Sequence, residues 1–142
     1  MKTSSRSGST GRRGICAAVA ALVVLIAVPA RAGSYLDRIA LLLQEGAQEA
    51  ELLRAHPNDA ELAQMVHRMT QARLKAAELT SVPKEVVQAH PHLLLVLTNY
   101  ERAADASENR ETQRLLVYLE RARDEERTLR SVLKQLGFPL PH

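Results

Sequence analysis

Aromatic residues are nearly absent from this 142-residue chain, which has no tryptophan, one phenylalanine and three tyrosines. With so few rings the core must be built from Leu, Ala, Val and Met, which favours helices over sheets. Cysteine occurs once, at Cys16. A single cysteine forms no internal disulfide and completes neither a thiolate metal site nor a c-type haem attachment. It begins an apolar run instead of ending one and follows Arg13-Gly14-Ile15, which is not the setting of a lipidated cysteine. Also missing are a Gly-rich phosphate loop, the alternation of a β-strand and any long-period internal repeat. Acidic residues are absent from the first 32 positions.

That last absence changes the meaning of the net charge. The whole chain carries a formal +3, but Lys2, Arg6, Arg12, Arg13 and Arg31 lie in the acid-free segment. Without them, 14 of the 19 basic side chains remain against all 16 acids, a formal charge of −2. A slightly negative domain lacks the basic surplus that nucleic acid requires, so no nucleic-acid partner is expected.

What is present at the start is the order of an export signal. Four positive charges stand among Ser and Gly in the first thirteen residues, and Ile15–Val28 follows as fourteen residues without a charge. Pro29 and Ala30-Arg31-Ala32 then place small residues where a signal peptidase reads them. The run falls short of the roughly 18–20 residues that span a bilayer. Residues 1–32 therefore read as a signal peptide cleaved after Ala32, with a periplasmic or secreted product and no stable membrane anchor. Arg12-Arg13 leaves the general and twin-arginine export routes both open.

Residues 33–142 read as one all-α domain, a small antiparallel up-down-up-down four-helix bundle or a pair of helical hairpins. Ser34 with Asp37 predicts a capped helix over about 35–55, carrying Leu36, Ile39, Ala40, Leu43, Ala47, Ala50 and Leu53 on one stripe. His56-Pro57 ends it. Asn58, with Glu61 three residues on, predicts the start of a second helix over 59–80. There Leu62, Met65, Met69, Ala72, Ala76 and Leu79 alternate at spacings of three and four, a heptad seam that predicts Met65 and Met69 in the core. A third helix is expected over 83–106, kinked or broken at Pro91, with Leu93–Leu97 apolar on every side. After a turn near 107–109, Leu115, Leu119, Ala122, Glu126, Leu129 and Leu133 predict a last helix over 109–136, stopped by Gly137 and Pro139.

His56-Pro57-Asn58-Asp59-Ala60-Glu61 resembles the inter-repeat turn of tetratricopeptide repeats over six residues. His67 occupies the small-residue position downstream and no second copy follows, so the segment reads as an ordinary helix-hairpin turn. The predicted architecture is similar to periplasmic haem bundles, but no Met in the first helix or His in the last is present to hold a haem, and no cofactor is expected. His90-Pro91-His92 is the one pair of imidazoles at a predicted helix break. His90 and His92 are the candidate metal ligands, to be completed by His56 or an acid from another helix. Glu125 and Glu126 straddle the stripe of the last helix, so one of them faces the seam. No nucleophile, base and positioning group can be assembled from these residues, and the expected role is binding, not catalysis. A protein partner or self-association is expected from the surplus of apolar surface around the third helix and at Leu41 and Leu42. A metal-binding bundle with its site near His90 and His92 is the alternative.

Overall fold

The computed structural model describes residues 30–141 as an all-α bundle of four helices: α1 (Ala30–Ala55), α2 (Ala60–Glu78), α3 (His90–Glu108) and α4 (Thr112–Gln135). A 3₁₀ turn, Lys84–Val86, lies between α2 and α3. The predicted signal segment falls almost wholly outside the described residues. None of these helices is long and apolar enough to cross a membrane.

The helix ends follow from local chemistry, with three corrections to the expectations above. α1 already runs at Ala30, so Ser34 stands inside the helix and not at its N-cap. Asp59, not Asn58, caps α2: its carboxylate accepts the Leu62 N–H at 3.0 Å, as a residue three positions before that donor must. Pro91 kinks nothing. It occupies the first turn of α3, where its missing N–H has no partner to lose and its fixed φ suits a helix start. The chain before it, from Pro83, forms the 3₁₀ turn and a further turn through Ala89.

α3 ends at Glu108 with Arg110 in the left-handed region, φ 61°; the Glu111 N–H returns to the Ala106 carbonyl at 2.8 Å and the Arg110 N–H to Ser107 at 3.0 Å. α4 ends the same way, with Gly137 at φ 87° and Phe138 N–H bonded to Leu133 O at 2.8 Å. Both are paired-bond C-terminal caps that satisfy carbonyls the helix leaves open.

α3 is the hub. It packs most extensively on α4, then on α2, and α1 lies across the other three with much less contact. Leu93, Val96 and Leu97 are buried, and the small Ala103, Ala104, Ala106 and Ser107 let neighbours approach closely. α4 contributes Leu115, Leu119, Ala122, Leu129 and Leu133. Glu126 interrupts that stripe as the sequence indicates, its carboxylate accepting from Arg130 Nε at 2.8 Å.

The predicted core face of α2 is corrected. Ala63, Val66, Thr70 and Ala77 are buried, whereas Met65 is 60% and Met69 46% exposed. The two stripes are offset by one residue, which is about 100° around a helix. The inward stripe is mostly of small residues, Ala63, Thr70 and Ala77 beside Val66, and Thr70 is satisfied by donating to the His67 carbonyl at 2.9 Å. The heptad from Met65 to Leu79 is turned outward, while Leu62 stays half-buried against the core.

Candidate functional site

The two histidines singled out from sequence are adjacent in the first turn of α3 but face different helices. His90 Nδ1 lies 2.7 Å from the Tyr35 hydroxyl of α1. Burial pushes the Tyr35 phenol up to about 12 and lowers the His90 imidazole below its ordinary value. The hydroxyl therefore donates and a neutral imidazole accepts. His92 Nδ1 lies 3.3 Å from Glu125 Oε2 of α4. The break predicted to gather ligands instead sends one imidazole to each flanking helix. Among the described residues no group of three or more His, Cys, Asp and Glu side chains is placed to hold a metal ion.

Tyr35 also borders an open cleft of about 700 Å³ between the first turns of α1 and the segment joining α2 to α3. Arg38 and Lys84 bring positive charge to its walls and Glu85 negative charge. This mixed lining selects no ligand class.

A constellation that sequence reading missed surrounds His67 on α2. Its Nδ1 is 2.6 Å from Glu108 Oε2 and its Nε2 is 3.1 Å from Glu101 Oε1, both on α3. The His67 side chain is only 16% exposed. Burial alone would lower its pKa, but hydrogen bonds to Glu108 and Glu101 and their negative charge outweigh it, and the net shift is upward. The protonated ring donates to both carboxylates. In the neutral ring Nδ1–H keeps Glu108, and Nε2 can accept from the Gln71 amide 3.0 Å away. The carboxylates sit on opposite ring nitrogens, so they do not converge on one cation. The arrangement is a proton-dependent tie between α2 and α3. The only sequence signal was that Glu101 and Glu108 are seven residues apart and share a helix face.

α1 and α2 are tied by charge. Arg73 donates from both terminal nitrogens to Glu49, at 2.6 and 2.7 Å, and also meets Glu45 at 3.3 Å. The Arg73 and Glu49 side chains are 9% and 11% exposed. Such a bidentate fork fixes the register of two helices.

Beside that fork lies the outward stripe of α2. Leu79 is 79% exposed and continues the line of Met65 and Met69, with Ala72 and Ala76 exposed between them. Leu41 and Leu52 of α1, 53% and 47% exposed, fall four residues before Glu45 and three after Glu49, so they share the flank of α1 that Arg73 grips. An apolar strip thus runs along α2, bordered by α1. No family model, curated protein or solved structure matches this chain.

Proposed function

We propose that this chain is an exported helical protein whose role is to bind another protein, as an interaction or chaperone-like module or as a subunit of an envelope assembly, rather than to perform a reaction. The carrying observation is the outward heptad stripe of α2. A period of 3.5 residues is the pattern with which one helix meets another, and this one faces away from its own core. Export is supported by the order of charge, apolar run and Ala30-Arg31-Ala32 in residues 1–32. A cut after Ala32 falls inside α1 and makes Gly33 and Ser34 its first residues, which would give Ser34 and Asp37 the capping role their spacing fits.

An antiparallel, up-down-up-down arrangement is supported by the ties between helices. Tyr35 shares a slot with Ala77 and Glu49 binds Arg73, so α1 numbers rise as α2 numbers fall. Across α3 and α4, His92 meets Glu125 and Arg102 stacks on Tyr118 in the same opposed order.

Two measurements test the reading. N-terminal sequencing of protein recovered from its host should begin at Gly33, and an intact N-terminus in the membrane fraction would refute cleavage and a soluble product. Crosslinking in the envelope should give a defined adduct with the parent chain and lose it with Met65→Glu/Met69→Glu at unchanged helical circular dichroism. An adduct that survives both charges would remove α2 from the interface.

A further inference from the structure

Resting on the interaction reading above, we propose that the occupant of the α2 stripe is a second copy of this chain, with the two α2 helices antiparallel about a twofold axis level with positions 70 and 71. The stripe is complementary to itself in that register. Leu62 meets the second copy's Leu79, Met65 meets Ala76, and Met69 meets Ala72. Each long thioether lies over a methyl, so large and small side chains alternate across every inner layer, as close packing requires. Parallel pairing would instead stack Met on Met and Ala on Ala, crowding two layers and leaving voids in two others.

The area suits a reversible dimer. From their exposed fractions, Met65, Met69 and Leu79 with Leu52 of α1 could bury at most roughly 400–500 Å² per copy, so two copies stay below about 1,000 Å², the range of weak, transient contacts. Leu52 is well placed to contribute. The Glu49–Arg73 fork sets it level with the twofold axis, so the two Leu52 side chains come to the same height on the α1 edge of the strip.

The rim makes the register testable. Glu61, Arg68 and Lys75 flank the stripe on the side away from α1, and all three are exposed. Side chains lean toward their own helix N-termini, so the antiparallel register brings Arg68 toward the second copy's Lys75, twice. That repulsion weakens the dimer at low salt. In parallel pairing Lys75 would face Thr80 instead.

Sedimentation of the processed protein, from on the order of 10 μM to 1 mM, tests the proposal. We expect a concentration-dependent dimer that tightens as salt is added. Met69→Glu should weaken it by about tenfold or more, and Lys75→Glu should tighten it several-fold at low salt by turning both rim pairs attractive. A monomer at every concentration, or a dimer indifferent to Met69→Glu, overturns self-pairing. A dimer weakened by Met69→Glu but indifferent to Lys75→Glu overturns the antiparallel register. If the protein is monomeric while its envelope adduct still depends on Met65 and Met69, self-pairing fails and the broader interaction reading stands. If that adduct is absent too, both fall.

Discussion

Gly46 shows how much one missing methyl group decides. A Cβ at this position would stand 2.7 and 2.8 Å from ring atoms of Tyr100, a side chain that is only 5% exposed. Glycine in mid-helix costs up to about 1 kcal/mol relative to alanine, yet here it admits the ring that joins α1 to α3. Gly46→Ala should therefore destabilise, by about 1–3 kcal/mol in urea unfolding, and a gain in stability would mean that the ring moves freely. Arg110 is the opposite case, a side chain where glycine fits better. It holds φ 61° at the α3 cap, so Arg110→Gly should raise stability by about 0.5–1 kcal/mol. His67 adds a dependence on pH. Its folded pKa lies above the ordinary 6.5, because hydrogen bonds to Glu108 and Glu101 overcome the effect of burial. Its contribution is therefore complete below 6.5 and is lost as pH rises through the raised value. His90, lowered by burial, acts in the other direction and loses its contribution as pH falls below 6.5. Urea midpoints of His67→Gln and the parent, compared from about pH 5 to 9, should differ most at the acid end and converge toward the alkaline end. A constant difference would remove the imidazolium from the account.

Between elements, the Arg73–Glu49 fork is the strongest single tie of α1 to α2. Removing one partner leaves the other charge nearly buried and unpaired, so Arg73→Ala should cost about 3–5 kcal/mol. Arg73→Met/Glu49→Met, which removes both charges and fills the space, should recover most of that loss; a double variant as unstable as the single one would show that the fork does more than neutralise itself. This scale also shows what was legible in the sequence. The end of α1 at His56-Pro57 and the stop at Gly137 were readable because a helix terminus is decided by a few adjacent residues. Pro91 was misplaced because the same residue either kinks a helix or begins one, and the choice rests on whether the preceding segment can continue it. The inward face of α2 was hidden because periodicity weights large side chains, whereas Ala63, Thr70 and Ala77 pack by being small. The partners of His67 lie 34 and 41 residues away, and no local pattern reaches that far. For His90 and His92, proximity in sequence was legible and direction was not, since each ring is claimed by a different neighbouring helix.

Across the whole molecule, cohesion is uneven. α3 with α4, and then α2 with α3, carry most of the packing, while α1 touches every other helix sparingly. Its attachment rests on a buried line of Tyr35, Ile39, Leu43 and Leu53, the Gly46–Tyr100 contact and the Arg73 fork. A segment held by few contacts opens below the global unfolding free energy. Native-state hydrogen exchange should then show amides of Ile39–Leu53 exchanging through a sub-global opening, while those of Leu93–Ala104 and Leu115–Leu133 wait for complete unfolding. Gly46→Ala and Arg73→Ala should speed exchange in α1 far more than in α3 or α4, because each disturbs one of the few contacts that attach α1. If self-pairing places Leu52 beside its counterpart, protection of α1 should also rise with protein concentration, and Met69→Glu should abolish that rise. Equal opening free energies in α1 and α4 would instead make the four helices one cooperative unit, and the sparse packing of α1 would then carry no energetic meaning.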